Sequence, residues 1–363
     1  RRGTSDIDVS GYAFAIRGVS MRTPLAVAIL VGALGVACSD DGGGNATSPT
    51  DVPTDADLMR RGDLALVTLN LLHGDACEPA TNRCQLDDRF ALFGRQVEAA
   101  GCPDVVALQE VNQQIYDRVV VVQPTLCQGA YELVWHDEVS HDTELVLTTL
   151  PVRDQELVDL AGSERTAYRI NLEVGLGEVF LIVTHIGASH QSDGTGGTIC
   201  RVETQCPLDL CPSGTLMVTC QVLQVHELAD EADEGAITLI VGDYNLRPDT
   251  PQIADLLAAG FTDAYLEAGN PECDPESGVG CTSGRVDSDL SDLTNPASIG
   301  SERIDLILVR APSDCDPVFD GAADGDGDGL GTGLFADQPA VDGPGGIVFP
   351  SDHTGVAMDL SCE

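Results

Sequence analysis

Apolar residues along the chain follow two rhythms. Short, nearly continuous apolar runs end at polar residues, and between some of them apolar residues recur every three or four positions. The run over 64–70 is rich in β-formers and gives way at Asn70 to a loop around His73 and Gly74, which predicts a first core strand. Leu86, Phe90, Phe93 and Val97 keep helical spacing over 86–100, and Gly101 stops the pattern. The run over 104–111 is almost wholly apolar, as a strand buried on both faces should be, and its C-terminal end carries Gln109 and Glu110. Further strands are predicted at 143–150, 166–174, 178–184, 236–242, 303–310 and 355–361, with helices near 221–234 and 251–259. Thr250 and Pro251 supply a cap and a first-turn proline for the last helix, and Gly260 ends it. Strands outnumber helices and the two interleave, which predicts an α/β sandwich with sheets packed together and helices outside. The stretch 187–220, with four cysteines and Gly194, Gly196 and Gly197, reads as a stapled, Cys-rich insertion within a domain spanning 63–363.

The N-terminal region follows another logic. Met21 and Arg22 precede an apolar run from Leu25 to Ala37, long enough for the core of a signal peptide and too short to span a bilayer. The run ends in Leu34-Gly35-Val36-Ala37-Cys38, which resembles the lipobox of bacterial lipoproteins, with Gly35 where leucine is usual. Residues 1–38 are therefore expected to be a signal peptide, with Met21 as the start, and Cys38 to be the acylated mature N-terminus. Residues 39–62, rich in Gly, Ser, Thr, Pro and Asp, read as a flexible linker. The expected location is outside the cytoplasm, as an envelope lipoprotein or a secreted protein, touching membrane only through the anchor.

Charge and cysteine content sharpen this. Across 363 residues, 59 acidic side chains face 18 basic ones, all arginine, for a formal charge of −41. Such a field repels polyanions, which excludes a basic DNA-coating protein. Thirteen cysteines are odd in number, but setting aside Cys38 leaves an even set in a compartment where disulfides persist. Proximity in sequence pairs Cys77 with Cys84, Cys102 with Cys127, Cys273 with Cys281, and Cys206 with Cys211 or Cys200 with Cys220, leaving Cys315 and Cys362. No Cys-x-x-Cys spacing supports a zinc site instead.

The candidate chemistry lies at the ends of the predicted strands: Asn70, Gln109 with Glu110, Thr184 with His185, Gly242-Asp243-Tyr244-Asn245, Ser351-Asp352-His353, and Asp305 within an apolar strand. Singly, His185 or Asn70 would pass as a structural histidine or a turn residue. Asp305 is harder to set aside, because a carboxylate there is costly unless paired, and His353 is a fitting partner. Carboxylates, carboxamides and two imidazoles together suit a hard divalent cation and general acid/base work on a phosphate ester.

These segments, in this order, resemble the motifs of the endonuclease/exonuclease/phosphatase superfamily with its deoxyribonuclease I-like fold: Thr68-Leu69-Asn70, Leu108-Gln109-Glu110-Val111, Thr184-His185, Gly242-Asp243-Tyr244-Asn245, Arg303-Ile304-Asp305-Leu306-Ile307 and Ser351-Asp352-His353. The resemblance implies a four-layer α/β sandwich, two packed mixed β-sheets flanked by helices, and hydrolysis of phosphoester bonds with Mg²⁺ or Mn²⁺. Glu110 then resembles the principal metal ligand, with Asn70 and Asp352 beside it. Asp305 and His353 resemble the pair that activates water, Asp243 and Asn245 the residues that position that water and the phosphate, and His185 a donor to a phosphoryl oxygen or the leaving group. Leu306 stands where the family usually has tyrosine, and Thr148-Thr149 where many members have Ser-Arg.

The implied substrate is a phosphoester: a nucleic acid, a phospholipid or a small phosphate ester. No protein partner is implied. A nuclease would need an arginine patch, for which Arg118, Arg165, Arg169 and Arg247 are the candidates, and a membrane-inserting hairpin has only Trp135 to draw on. His73 and His190 are expected near the site, and His136, His141 and His226 on the surface or a helix. A catalytically silent lipoprotein scaffold is the rival from another class, and the intact motif residues oppose it. Asp324, Asp326 and Asp328 match the first ligands of a Ca²⁺ loop, but Phe335 stands where its last ligand, a glutamate, belongs.

Overall fold

Period-two alternation assigns each strand's two faces to two different cores. In a computed structural model that describes residues 63–72, 85–135, 143–162, 165–175, 177–187, 194, 197–201, 206–285, 291–321 and 331–363, the strands form two mixed sheets. The first runs in the order β11 (Pro317–Phe319), β13 (Gly355–Cys362), β1 (Asp63–Asn70), β2 (Val105–Val111), β4 (Thr143–Thr148) and β3 (Glu132–Val134), with β12 (Gly333–Phe335) also on β13. The second runs β5 (Val152–Asp159), β6 (Thr166–Val174), β7 (Gly177–His185), β8 (Ile237–Asp243), β10 (Asp305–Arg310) and β9 (Thr262–Asp263). The pairs β1–β2 and β7–β8 are parallel.

Leu64 and Leu66 of β1, Val105 and Ala107 of β2, Leu181 and Val183 of β7, Leu239 and Val241 of β8, and Ile307 and Val309 of β10 meet in one core between the sheets. The opposite faces carry helices. Helices α1 (Leu86–Ala99) and α2 (Gln113–Val122) cover the first sheet, and α3 (Met217–Ala229) and α4 (Pro251–Ala258) cover the second. This is the expected four-layer sandwich. A one-turn helix, α5 (Ala264–Glu267), follows β9.

Several expectations need correction. Helix α2, over 113–122, is not among the predicted elements, because its valine run carries no clear helical stripe; only Ile115 and Val119 are buried, and the Asn112 side chain caps the helix by accepting from the backbone N–H groups of Gln114 and Ile115. The edge strand β5 is also missing from the prediction, since its exposed polar residues lack alternation. The helix expected at 221–234 spans Met217–Ala229 instead. Its start is tied down by the bridge between Ile199 and Leu216, and beyond it the acidic run over 230–234 has no apolar face to bury. Thr250 does precede α4, but its side chain makes no capping bond.

Disulfides join Cys102 to Cys127, Cys273 to Cys281 and Cys315 to Cys362. In the insertion, neither proposed pair forms: Cys200 joins Cys206 and Cys211 joins Cys220. All four sulfurs gather in one small buried cluster, so proximity in sequence could not choose among them. Their disulfide bonding leaves no thiolate set for zinc. Cys38, Cys77, Cys84, His73, His136, His141, His190, Asp324, Asp326 and Asp328 lie outside the described residues.

Candidate active site

Extending each strand's alternation by one or two residues past the apolar core carries polar side chains to the same inter-sheet face. In β1, Thr68 and Asn70 continue the phase of Leu64 and Leu66; in β7, His185 continues Val183; in β8, Asp243 continues Val241; and in β10, Asp305 precedes Ile307 by two. The registers align them, with His185 opposite Asp243 on one side of β8 and Asp305 opposite Asp243 on the other. Gly242 permits this closeness, because a Cβ there would lie 2.0 Å from the Thr184 carbonyl oxygen.

Glu110 breaks the alternation. Its phase in β2 is that of outward-facing Leu108, but the pairing of β2 with β4 shifts register between Leu108 and Val111, and Glu110 takes a left-handed backbone with φ of 60°. The bulge turns its carboxylate toward Asn70, whose amide nitrogen donates to Glu110 Oε1 and to Asp243 Oδ2, each at 3.0 Å. The Asn70 side-chain oxygen accepts the Leu72 N–H, so Asn70 serves here as a bridge between two carboxylates drawn from different sheets.

On the other side, His353 Nδ1 lies 2.9 Å and 3.2 Å from the two oxygens of Asp305. A carboxylate only accepts, so Nδ1 carries the proton and Nε2, 3.9 Å from Asp243 Oδ2, is the position where a proton comes and goes. Burial opposes charge on this ring, but Asp305, Asp243 and Asp352 outweigh it and hold its pKa well above the usual value. Burial and then the neighbouring Asp305 push the Asp243 carboxyl up to about 7. The Asp243 Oδ1 accepts the Asn245 N–H at 2.8 Å.

His185 is held differently. Its Nε2 is 3.5 Å from Asp243 Oδ2 and 4.0 Å from Glu110 Oε1, while Nδ1 faces Arg165 at 2.9 Å and the Asn245 amide nitrogen lies 3.1 Å from Nε2. The segment before β13 is fixed by Ser351, whose hydroxyl donates to the Asn70 carbonyl at 2.6 Å and accepts the His353 N–H at 3.2 Å. Asp352 stays half-buried beside it. Leu306 points away into the outer core, so the missing tyrosine leaves the inner face unchanged.

Two residues of this region escaped sequence reasoning. Arg89 of α1 is buried and donates to the carbonyls of Pro350 (2.7 Å), Leu71 and Leu72, tying together the loops that bear Asn70 and Asp352. Burial lowers its pKa to about 10, against the pull of Asp352 and Glu110. An arginine three residues after Leu86 on the apolar stripe was the available signal. Glu144 of β4 is buried, accepts the Thr166 hydroxyl and the His185 backbone N–H, and is pushed by burial up to about 8. A glutamate inside an apolar strand was its signal.

The donor set fits a divalent cation. Ligand atoms of Asp243, Asp305 and His353 lie within 4.8 Å of one another. With Glu110 beside them, these groups crowd carboxylate charge that a cation would neutralise.

Residues 67–353 match the model of the Endonuclease/Exonuclease/phosphatase family. Among solved structures, D. rerio TDP2 complexed with single strand DNA product is 18% identical with a TM-score of 0.57, over 82% of this chain and 99% of that one. A mannosyl-6-phosphatase of Bacteroides thetaiotaomicron is 14% identical with a TM-score of 0.55, over 82% of this chain and 99% of its own. An endonuclease/exonuclease/phosphatase from Bacteroides vulgatus is 15% identical with a TM-score of 0.53, over 83% and 99% respectively. These likenesses show the fold. No curated protein sequence matches the chain.

Proposed function

The chain belongs to the endonuclease/exonuclease/phosphatase family, and from that premise we propose that it is an exported, lipid-anchored hydrolase that cleaves a small phosphate ester with Mg²⁺ or Mn²⁺. The observation that carries this reading is the convergence of Asn70, Glu110, His185, Asp243, Asp305 and His353 on one inner face, with the Asp305–His353 pair at 2.9 Å.

Glu110 and Asp352 are the carboxylates we assign to the cation, with Asn70 aligning Glu110. The ion would polarise the phosphoryl group and neutralise charge developing on it. Asp305 orients His353 so that Nε2 takes a proton from water, Asp243 and Asn245 hold that water and the phosphate in place, and His185 donates a hydrogen bond to a phosphoryl oxygen or the leaving group.

A small ester is favoured over nucleic acid because the arginines that could grip a polyanion are engaged. Arg118 pairs with Asp87 at 3.3 Å, Arg247 with Asp249 at 3.2 Å, and Arg169 with Asp154, Glu156 and Glu231. Arg165 is turned to His185. Trp135 stacks on Tyr116, ring centroids 3.8 Å apart, and no helix among the described residues is long and apolar enough to cross a membrane.

The test is a metal-stripped protein supplied in turn with Mg²⁺, Mn²⁺ or Ca²⁺ and offered p-nitrophenyl phosphate, bis(p-nitrophenyl) phosphate, plasmid DNA, RNA and phospholipid vesicles. Hydrolysis of the small esters with Mg²⁺ or Mn²⁺ is expected; inactivity on all five overturns the reading. Detergent partitioning of the full chain from an exporting bacterial host, lost in Cys38→Ser, tests the anchor.

A further inference from the structure

Among the described residues three buried arginines lie near the site, and they are held unequally. Arg89 is held by backbone carbonyls, and Arg303 is held by Asp263 at 2.8 Å and by Glu272 at 2.7 Å. Among the described residues Arg285 has no such partner. Only 8% exposed, it lies over the Phe349 ring, 3.9 Å from the centroid, and its Nε is buried without a hydrogen bond. Asp337, Asp352 and Asp292 reach it through their field, yet burial still draws its pKa below the usual value. Leaving a guanidinium N–H dry and unpaired costs free energy that a bound acceptor would recover.

That acceptor has a place to sit. Arg285 lines a cavity of about 840 Å³, whose other walls include Ala99 of α1, Val279, Ile299, Phe335 and Phe349. The volume suits a small organic molecule, and Arg285 and Asp337 are the charged residues on walls that are otherwise apolar or uncharged. The cavity adjoins the cleft: Thr354 on its wall follows His353 directly and donates to the Thr282 carbonyl at 2.7 Å, while Ser283, two residues before Arg285, has its hydroxyl 3.5 Å from His353 Nε2.

We propose that this cavity is a second subsite, in which Arg285 binds an oxyanion, phosphate or carboxylate, carried on a small apolar part of the substrate. The planar guanidinium, stacked on Phe349, offers an N–H edge to one oxygen of that group, and the apolar body packs against Val279, Ile299 and Phe335. The inference rests on the phosphoesterase reading for its substrate, but its test does not.

With the full-length protein held in EDTA, so that no cation is available to the carboxylates, binding of phenylphosphonate and of inorganic phosphate is measured by calorimetry. Phenylphosphonate is expected to bind, about tenfold more tightly than phosphate, and Arg285→Gln to weaken it by about tenfold or more, the size of one charge-assisted hydrogen bond. His353→Ala is expected to leave this binding unchanged. Equal affinity in wild type and a folded Arg285→Gln, or loss of binding in a folded His353→Ala, overturns the subsite. If Arg285→Gln does not fold, Val279→Trp decides: it crowds an exposed part of the wall without replacing the cation, and unchanged affinity there overturns the proposal. Arg285-dependent binding in a protein that hydrolyses nothing would sink the phosphoesterase reading alone. Hydrolysis with Arg285-independent binding would sink the subsite alone.

Discussion

The two imidazoles of the site stand on either side of Asp243, with Nε2 at 3.9 Å for His353 and 3.5 Å for His185, yet their other nitrogens meet opposite charges. His353 Nδ1 faces the Asp305 carboxylate, and His185 Nδ1 faces the Arg165 guanidinium. The first arrangement favours a charged ring and makes Nε2 a proton acceptor. The second fixes the other tautomer, because arginine only donates and so demands the lone pair of Nδ1, which leaves the proton on Nε2. The Asn245 amide nitrogen competes from the Nε2 side at 3.1 Å, but it is also bonded to the Ile186 carbonyl, and the closer, charged donor prevails. A ring's role is thus read from the partner of its far nitrogen.

The sharpest way to break this comparison is to remove the acceptor side. His353→Ala and Asp305→Asn are each expected to lower turnover by roughly 10²–10⁴-fold, and the double variant by little more than either, since the two act as a unit. Near wild-type turnover in a folded His353→Ala would refute the assignment. On the donor side, His185→Ala should cost roughly 10²–10³-fold, the scale of one lost hydrogen bond to developing charge. Arg165→Met, which frees the ring to choose its tautomer, should cost about tenfold, less than the roughly 10²–10³ scale of losing the donor outright. An equal loss in Arg165→Met and His185→Ala would mean that the guanidinium itself contacts the phosphate.

The pH response separates the two rings further. Turnover should rise with pH through a value above the ordinary imidazole value of about 6.5, because His353 must lose its proton to act and Asp305 holds that proton. Asp305→Asn should move this limb to lower pH, and His185→Ala should not. Stability in the metal-free protein runs the other way. His353 and Asp243 both bind a proton more tightly folded than unfolded, so the folded form holds the excess protons and unfolding free energy falls as pH rises, for Asp243 between about 4 and its folded value of about 7. Thermal midpoints recorded from pH 5 to 8 in EDTA should show the decline, and Mg²⁺ should flatten it. A flat profile without metal would contradict the crowding of carboxylates.

The smallest expected effect on rate comes from a staple remote from both rings. Replacing Cys315 and Cys362 by serine opens a 47-residue separation and should lower stability by about 2–4 kcal/mol. Turnover per folded molecule should stay unchanged, as denaturant titration paired with active-site assays would show.

Local pattern alone carried much of this architecture. The apolar runs of 64–70, 178–184, 236–242 and 303–310 are visible in the residues, and once the packed sheets show which face is inner, strict alternation places Asn70, His185, Asp243 and Asp305 on it. The long apolar strands and the stripe of Leu86, Phe90, Phe93 and Val97 were legible for the same reason. Elements with little apolar signal, β5 and α2, were not, since their stability comes from neighbours and a cap rather than from their own periodicity.

What only the tertiary structure decided are the pairings between segments distant in sequence. No local pattern announces that a bulge turns Glu110 inward, that Arg89 joins the loops at 71–72 and 350, or that Arg165 rather than a carboxylate meets His185. The same holds for Cys200 with Cys206 and Cys211 with Cys220, because four sulfurs brought to one spot can pair in several ways and the backbone path selects among them. Period and residue type act over a few residues, and so they are written in the sequence. Hydrogen bonds, ion pairs and disulfides act across space, and they are settled only when the two sheets close on one another.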